Sequence, residues 1–335
     1  MTPPLLSVEN LSVTLPVRGT HRTVIHRVDL TVPAGAAVGL VGESGSGKSM
    51  TARAILRLLP RGADVTGEVR LDGRDITRAG AAELRRLRSR DVAMVFQDPR
   101  AHINPVRTIG DFLTEALVTA RGVHPRAAEA TVTALLREVG IPDAARRMRR
   151  RPPELSGGLL QRVMIAAALA GEPRLLLADE PTTALDVTTQ SEVMAIIAEA
   201  RAERGLAMLF ITHDLPLAAA VCDRVAVMYA GTVAEELPAA HLYGEARHPY
   251  TRALLASRPD PADTAQSLRA VPGRPLSAFE APPGCPFAAR CAHTQEVCRT
   301  ERPAPRWAED SLVACHFPET PGAVVRSGDR SDTHD

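Results

Sequence analysis

Lysine and aromatic residues are scarce in this chain of 335 residues. Lysine and arginine together number 40, and reading along the sequence finds a single lysine, Lys48. Aromatic side chains make up 3% of the residues, so few rings are present to stack on a nucleotide base. A chain that uses arginine at every other basic position keeps one compact ammonium group, and this choice suits a phosphate site better than a planar guanidinium does.

Long apolar runs are also missing. The longest apolar stretches, such as residues 163–170, fall far short of the ~20 residues that a membrane-spanning helix needs. Residues 1–10 contain neither a basic segment nor a long apolar one, so we expect no signal peptide. The net charge of +1 gives no reason to expect a nucleic-acid partner. We therefore expect a soluble, cytoplasmic protein that reaches a membrane only through partner proteins.

One glycine-rich stretch matches the phosphate-binding pattern G-x-x-x-x-G-K-[ST] at every fixed position. It follows an apolar run at residues 36–41, which predicts a buried strand that ends at the loop. Backbone N–H groups of such a loop bind phosphate, while Lys48 reaches the β- and γ-phosphates and Ser49 binds Mg²⁺. The predicted nucleotide-binding residues here are Gly42, Glu43, Ser44, Gly45, Ser46, Gly47, Lys48, Ser49 and Met50.

Apolar segments alternate with helical ones along much of the remaining chain, which predicts an α/β protein with a mostly parallel sheet. Short alternating runs at residues 5–32 predict an N-terminal antiparallel β subdomain, and residues 98–170 predict a helical subdomain. The buried strands are predicted at residues 36–41, 92–96, 175–178, 207–212 and 225–229.

Polar residues follow three of these strands, at the carboxyl ends where the ligands of a parallel sheet collect. Asp179 is positioned to hold Mg²⁺, and Glu180 is positioned to take a proton from the attacking water. Gln97 can orient that water or contact the metal, and His213 can reach the γ-phosphate. We predict Glu180, His213, Gln97 and Lys48 as the catalytic residues. The predicted magnesium ligands are Ser49, Gln97 and Asp179.

A second helix N-terminus with anion-binding character follows at residues 155–162. Ser156 is a candidate N-cap, and Gly157 and Gly158 allow a close approach to the backbone. A single nucleotide does not need two such termini from one chain. We therefore expect two chains to enclose the nucleotide between them.

The stretch at residues 155–162 resembles the signature motif of ABC ATPases, whose fold has a P-loop core. The resemblance makes Gln97 the Q-loop residue, Asp186 part of a D-loop at residues 184–186, and His213 the switch histidine. In that family the signature motif faces the nucleotide held by a partner subunit. The resemblance therefore implies ATP and Mg²⁺ as ligands, and it adds Ser156, Gly157, Gly158 and Asp186 to the nucleotide-binding residues.

Five further segments are similar to the oligopeptide/dipeptide importer branch of that superfamily. They lie at residues 95–99, 104–110, 178–187, 248–251 and 284–287. This similarity implies the ATP-hydrolysing subunit of a peptide importer, bound peripherally at the cytoplasmic face of the membrane. The implied partners are two transmembrane permeases and an extracytoplasmic solute-binding protein. Leu159 stands where the superfamily usually has glutamine. D-type subunits of this branch often carry an apolar methionine there, so the resemblance implies a D-type subunit that pairs with an F-type ATPase subunit.

Four of the five cysteines lie near the C-terminus, with the spacing C-x5-C-x6-C-x16-C. This spacing matches neither most zinc sites nor the common ferredoxins, so a metal, disulfides and free thiols all stay open. Importer subunits that resemble this chain carry a [4Fe–4S] cluster on such an extension. The resemblance therefore implies that cluster, with Zn²⁺ as the alternative. Its predicted ligands are Cys285, Cys291, Cys298 and Cys315.

The composition shifts towards proline and cysteine after residue 237. We therefore expect a nucleotide-binding domain at residues 1–237, a C-terminal extension at 238–318, and a disordered tail at 319–335. Because the cysteines are far in sequence from the phosphate loop, we expect the extension to have a structural or docking role. Importers of nickel or of other small solutes share these motifs. A non-transport ABC ATPase and a nucleotide sensor are further alternatives, and the intact Glu180 argues against the sensor.

Overall fold

Two β-sheets and the surrounding helices make up the structure, a computed structural model that describes residues 3–183, 185–257 and 270–320. The predicted disordered tail lies outside the described residues from residue 321 on. The strands of the described residues are β1 Leu6–Val17, β2 Thr20–Val32, β3 Ala37–Val41, β4 Asp64–Leu71, β5 Arg74–Asp75, β6 Val92–Val95, β7 Leu175–Asp179, β8 Ala207–Thr212, β9 Arg224–Tyr229, β10 Thr232–Pro238, β11 Arg306–Ala308 and β12 Ser311–Val313.

The helices pack around both sheets, and in the described part of the chain none is both long and apolar enough to cross a membrane. Their lengths vary widely, from a single turn to the long helix that follows β7. They are α1 Lys48–Ile55, α2 Ala81–Arg90, α3 Pro99–His102, α4 Ile109–Thr119, α5 Pro125–Glu138, α6 Ala144–Arg147, α7 Gly157–Ala170, α8 Val187–Arg204, α9 Leu215–Val221, α10 Leu242–Glu245, α11 Pro249–Ala256 and α12 Glu296–Thr300.

The larger sheet of the described residues has eight strands in the order β11-β12-β10-β9-β3-β8-β7-β6. Neighbouring strands from β9 to β6 run parallel, and the strands on the other side of β9 run antiparallel. Every residue of β3, β7 and β8 is buried, as expected for central strands covered on both faces. The predicted, mostly parallel sheet is confirmed. Its parallel strands end at one edge, where the phosphate loop begins.

The smaller sheet joins four strands in the order β2-β1-β4-β5 within the described ranges, and all its pairs are antiparallel. The pairing of β1 with β4 shifts register between Glu9 and Ser12. Gly67 lies opposite this shift with φ of 92°, and a Cβ there would lie 2.5 Å from the Asn10 carbonyl oxygen. A glycine is therefore needed where the two strands approach most closely. The predicted N-terminal antiparallel subdomain is confirmed.

Helices α3 to α7 form a helical subdomain between β6 and β7, as the sequence predicts. Helix α4 begins with a capping box in which Thr108 and Asp111 each bond the backbone N–H of the other. Its residues Ile109, Leu113 and Leu117 recur at helical spacing and are buried. They belong to the same apolar cluster as residues of α5 and α7. This cluster holds the signature region against the edge of the main sheet.

The chain after Pro238 is built onto the main sheet. Strand β12 pairs with β10, and β11 pairs with β12, so both extend the sheet at its antiparallel end. Tyr250 of α11 and Phe287 lie in the same buried cluster as Val227 of β9. Strands of three residues are too short to show an alternating pattern, which is why the sequence does not predict them. We refer to residues 238–257 and 270–320 as the C-terminal segment.

Candidate functional site

The phosphate loop connects β3 to α1 with a backbone that favours glycine at three positions. Gly42, Gly45 and Gly47 have φ of 153°, 77° and 109°. A Cβ at Gly42 would lie 2.1 Å from the Met228 carbonyl oxygen, and one at Gly47 would lie 2.9 Å from Cδ1 of Ile25. The glycines are therefore required both by the turn and by the close approach of neighbouring strands.

The Lys48 side chain lies inside the loop. Its Nζ donates hydrogen bonds to the carbonyl oxygens of Gly42 at 2.8 Å and Glu43 at 3.0 Å. Burial lowers the pKa of Lys48, and the nearby carboxylates of Glu180 and Asp179 oppose that shift. The ammonium group is thus held at the centre of the loop, where it can contact the phosphates of a bound nucleotide.

Ser49 and Asp179 provide the oxygen atoms of the predicted magnesium site. Ser49 Oγ donates to Asp179 Oδ1 at 2.7 Å. Asp179 is only 1% exposed, and burial raises its pKa against the opposing hydrogen bond from Ser49. The buried Ser46 hydroxyl has no hydrogen-bond partner among the described residues, so it remains available to a ligand. A buried carboxylate, a hydroxyl and an unpaired polar group fit Mg²⁺ bound together with phosphate.

Glu180 stands where the predicted catalytic residues meet. Its Oε2 accepts hydrogen bonds from Gln97 Nε2 at 3.0 Å and from Thr183 Oγ1 at 2.7 Å. His213 Nδ1 lies 3.4 Å from the same oxygen. The Glu180 backbone has φ of 46°, a left-handed conformation that is costly for this residue type, and its N–H donates to Ile211 of β8 at 2.9 Å. Motif spacing alone does not identify Thr183 as a member of this cluster.

The predicted signature and D-loop residues form a second cluster. They are Ser156, Gly157, Gly158 and Asp186. Ser156 caps α7, and Asp186 caps α8 by accepting from the Thr189 N–H at 2.9 Å. A Cβ at Gly158 would lie 2.7 Å from Thr189 Cγ2, so the two helix starts are in contact. The side-chain bonds of Ser156 and Asp186 thus go to their own helices. Ala184 of the D-loop lies outside the described residues.

The outer side of the phosphate loop is attached to the C-terminal segment. Arg290 forms a two-pronged ion pair with Glu43, with distances of 2.7 and 3.1 Å. The Glu43 N–H donates to Tyr250 Oη at 3.1 Å, and the Ala278 N–H donates to the Gly45 carbonyl oxygen at 3.0 Å. Arg290 follows Glu43 by 247 residues, and no motif marks it. The module that carries the cysteines therefore contacts the phosphate loop, although the two are far apart in the sequence.

The predicted iron–sulfur site is wrong. Cys285, Cys291, Cys298 and Cys315 do line one cavity, but its volume of about 10 Å³ leaves room for no more than about one water molecule. Burial raises the pKa of Cys285, Cys291 and Cys315, to about 11 at Cys315. Over the described ranges, no group of three or more histidine, cysteine, aspartate or glutamate side chains is arranged to hold a metal ion. Zinc at the cysteines has no support either.

The main sheet and its edge define a P-loop ATPase that carries a signature helix on the same chain. A family model described as "ABC transporter" matches residues 25–183, and one described as "Oligopeptide/dipeptide transporter, C-terminal region" matches residues 234–298. A putative peptide import ATP-binding protein of Brucella abortus is 44% identical over 303 residues, which are 90% of this chain and 91% of the relative.

Two further relatives match over nearly their whole length. The oligopeptide transport ATP-binding protein OppD of Salmonella typhimurium is 40% identical over 94% of both chains. The dipeptide transport ATP-binding protein DppD of Bacillus subtilis is 40% identical over 98% of this chain and 99% of the relative. A solved dimer of the cassette MJ0796 with ADP and Pi has a TM-score of 0.63 and 28% identity, covering 70% of this chain and 98% of that one. The chain belongs to the ABC transporter family of ATPases, in its oligopeptide/dipeptide branch.

Proposed function

We propose that this chain is the ATP-hydrolysing subunit of an ABC importer of peptides and acts from the cytoplasmic face of the membrane. The match of residues 234–298 to the C-terminal region of oligopeptide/dipeptide transporters supports peptides as the transported substrate. The names of the three relatives, which refer to peptide, oligopeptide and dipeptide transport, support the same class. The convergence of Gln97, Thr183 and His213 on one oxygen of Glu180 is the observation that carries the hydrolytic role.

The groups that bind the nucleotide lie on the inner side of the loop. The N–H groups of residues 45–49 and the Lys48 ammonium contact the phosphates, in place of the carbonyl oxygens that Lys48 otherwise bonds. Ser49, Asp179 and Gln97 are the residues that would hold Mg²⁺, which neutralises phosphate charge when it is bound. Met50 follows directly in α1 and approaches the same end of the nucleotide through its backbone.

Hydrolysis follows from the position of Glu180. Its carboxylate accepts a proton from the attacking water, and Gln97 orients that water. Thr183 holds the carboxylate in place by its hydrogen bond at 2.7 Å. His213 lies beside the same carboxylate and contacts the γ-phosphate. The left-handed backbone at Glu180 keeps the group aimed at the edge of the sheet, so little rearrangement is needed before the reaction.

A second ATPase subunit completes each site in this proposal. Ser156 and Asp186 are bonded to their own helices, Gly158 of α7 packs against Thr189 of α8, and all three serve the nucleotide of an F-type partner. The dimeric form of the similar cassette MJ0796, solved with ADP and Pi, supports an arrangement of two cassettes. Leu159 removes a side-chain amide from the site that this signature completes. That site is therefore expected to be the weaker of the two.

The permeases dock, in our proposal, on the surface at residues 97–111. Val106 in this stretch is 72% exposed, which is unusual for a large apolar side chain. Helix α3 starts two residues after Gln97, so movement of a docked permease would reach Gln97 and the Glu180 carboxylate that it bonds. An extracytoplasmic solute-binding protein delivers the peptide to the permeases. We further propose a nucleotide-binding domain at residues 1–237 and a C-terminal extension at 238–318.

Reconstitution in proteoliposomes tests the proposal. Phosphate release is measured for the isolated chain and for the chain co-purified with its permeases, its second ATPase subunit and its solute-binding protein. We expect assembly to raise the rate at least about tenfold, because the partner supplies the missing phosphate donors. Di- and oligopeptides should raise the rate further. Stimulation by a nickel chelate alone would reject the peptide assignment, and full activity of a verified monomer would reject the two-subunit site.

A further inference from the structure

Arg290 is buried at the boundary between the C-terminal segment and the phosphate loop. Its side chain is 5% exposed, and Nε donates to the Pro272 carbonyl oxygen at 2.7 Å. The two terminal nitrogens donate to the two carboxylate oxygens of Glu43. The guanidinium carbon also lies 5.6 Å from the ring centre of Tyr229 and 5.8 Å from that of Phe287. A buried arginine is tolerated only when it is paired this completely, so its position is tightly specified.

Aromatic rings form a rigid support beneath this ion pair. Tyr229, Tyr250 and Phe287 are all buried, with ring centres 4.6 to 5.5 Å apart. The chain has only three tyrosines and six phenylalanines, so much of its aromatic content is placed here. Tyr229 belongs to β9 of the main sheet, whereas the other two rings belong to the C-terminal segment. The rings therefore fix the segment against the sheet on which the loop is built.

Two peptide groups of the phosphate loop form hydrogen bonds with the C-terminal segment. Tyr250 Oη accepts the N–H of Glu43, and the Ala278 N–H holds the carbonyl oxygen of Gly45. The other end of each peptide is bonded inside the loop, because the Gly42 carbonyl oxygen accepts from Lys48 Nζ and the Ser46 N–H donates to the Glu43 carbonyl oxygen at 3.2 Å. Phosphate binding depends on where the loop N–H groups point. The shape that meets the phosphates is thus set partly from the outer side.

We propose that Arg290 is a positioning residue for ATP binding, which holds the phosphate loop in its binding shape through the two-pronged contact with Glu43. Arg290 acts through Glu43 and does not itself contact the nucleotide. The inference concerns the nucleotide site alone and does not depend on the transported solute. A contact that served only to staple the C-terminal segment to the core would change the unfolding midpoint and leave the affinity of the folded protein for ATP unchanged.

The test compares the full chain with its Arg290→Gln, Arg290→Lys and Glu43→Gln variants. Calorimetric titration with Mg·ATP gives Kd, and urea unfolding gives stability for the same samples. We expect Arg290→Gln to raise Kd about tenfold, since small errors in the position of binding groups have large effects. Arg290→Lys keeps the charge but loses the two-pronged contact, so Kd should stay raised. In the assembled importer, KM for ATP should rise while kcat changes little.

Arg247→Gln is the matched control. Arg247 also pairs with a glutamate, Glu309, at 2.6 Å, and that ion pair does not involve the phosphate loop. Its Kd should equal that of the unchanged chain. If Arg290→Gln does not fold, Glu43→Gln removes the same contact from the loop side, where the side chain is 21% exposed. An unchanged Kd in Arg290→Lys and Glu43→Gln would overturn the proposal, and so would an equal rise in Arg247→Gln.

Discussion

The two sides of the phosphate loop differ in whether their polar groups already have partners within the protein. On the inner side, the Ser46 hydroxyl is buried without a hydrogen-bond partner among the described residues. Burial lowers the pKa of Lys48 and raises that of Asp179, and both shifts favour the neutral form of the side chain. On the outer side, Glu43 and Arg290 satisfy each other through two hydrogen bonds. The inner side thus keeps binding capacity for a ligand, while the outer side uses its capacity to hold the loop still. The following changes separate the two sides.

The largest effect is expected on the inner side, from Glu180→Gln. The amide cannot accept a proton from water, so phosphate release by the assembled importer should fall at least about a hundredfold. The Kd for Mg·ATP should stay within about twofold of the original, because Lys48, Ser49 and Asp179 are unchanged. Parallel assays of phosphate release and of nucleotide binding check both statements. Turnover at the original rate would show that Glu180 is not the base.

Removal of the ammonium group by Lys48→Ala should act on binding first. The variant loses a buried charge aimed at the phosphates, and we expect Kd for Mg·ATP to rise about a hundredfold. Lys48→Arg is the control for charge alone, because it keeps the positive charge but replaces the compact ammonium with a planar guanidinium. Equilibrium titration of the three proteins gives the answer. Full affinity in Lys48→Arg would mean that charge alone is sufficient at this position.

The sequence predicts the inner side of the phosphate loop better than it predicts the outer side. The loop is contiguous, and Asp179 and Glu180 directly follow a buried strand, so a local pattern and the rule about strand ends place them together.

The outer side depends on contacts that no local pattern records. Arg290 meets Glu43 because the C-terminal segment packs on β9 through the buried rings of Tyr250 and Phe287. The cysteines show a related limit. Their gathering around one cavity agrees with their clustering in sequence, but spacing does not reveal how much room lies between the thiols. Family resemblance implied a cluster there, and the geometry of the side chains does not support it.

Acidic pH should destabilise the C-terminal segment, which holds the outer side of the loop. Burial lowers the pKa of His248 to about 4, more than its backbone hydrogen bond with Ala314 raises it. In the unfolded chain the ordinary value is 6.5, so between pH 6.5 and pH 4 the unfolded state binds a proton that the folded state does not. The free energy of unfolding should therefore decrease as the pH is lowered, by about 2 kcal/mol from pH 7 to pH 5.

Urea unfolding at pH 7 and pH 5 measures this loss. The control is His248→Asn, which keeps an acceptor for the Tyr250 N–H at the start of α11 but does not titrate. We expect a smaller decrease in the variant than in the unchanged chain. Equal decreases in the two proteins would assign the pH dependence to other groups, of which Glu235, bonded to the His248 N–H, is the nearest.

The smallest effect is expected from Tyr250→Phe. The change keeps the buried ring and removes only the acceptor for the Glu43 N–H, so Kd for Mg·ATP should rise about threefold. Tyr243→Phe, at an exposed tyrosine of α10, is the control and should leave Kd unchanged. Titrations of both variants side by side resolve a difference of this size. An unchanged Kd in Tyr250→Phe would mean that Arg290 and Ala278 alone hold the outer side of the phosphate loop in place.

Because Lys48 is the only lysine, the chain has a single side-chain primary amine, and it lies inside the phosphate loop where we propose that the nucleotide binds. An amine-reactive dye therefore labels one interior position among the side chains, with no background from surface lysines. A bound nucleotide covers that position, so the labelling of Lys48, separated from that of the α-amino group by peptide mapping, measures site occupancy. The same feature means that lysine-directed cross-linkers find no surface lysine on this chain, so carboxylate- or cysteine-directed reagents are better suited to mapping the assembly.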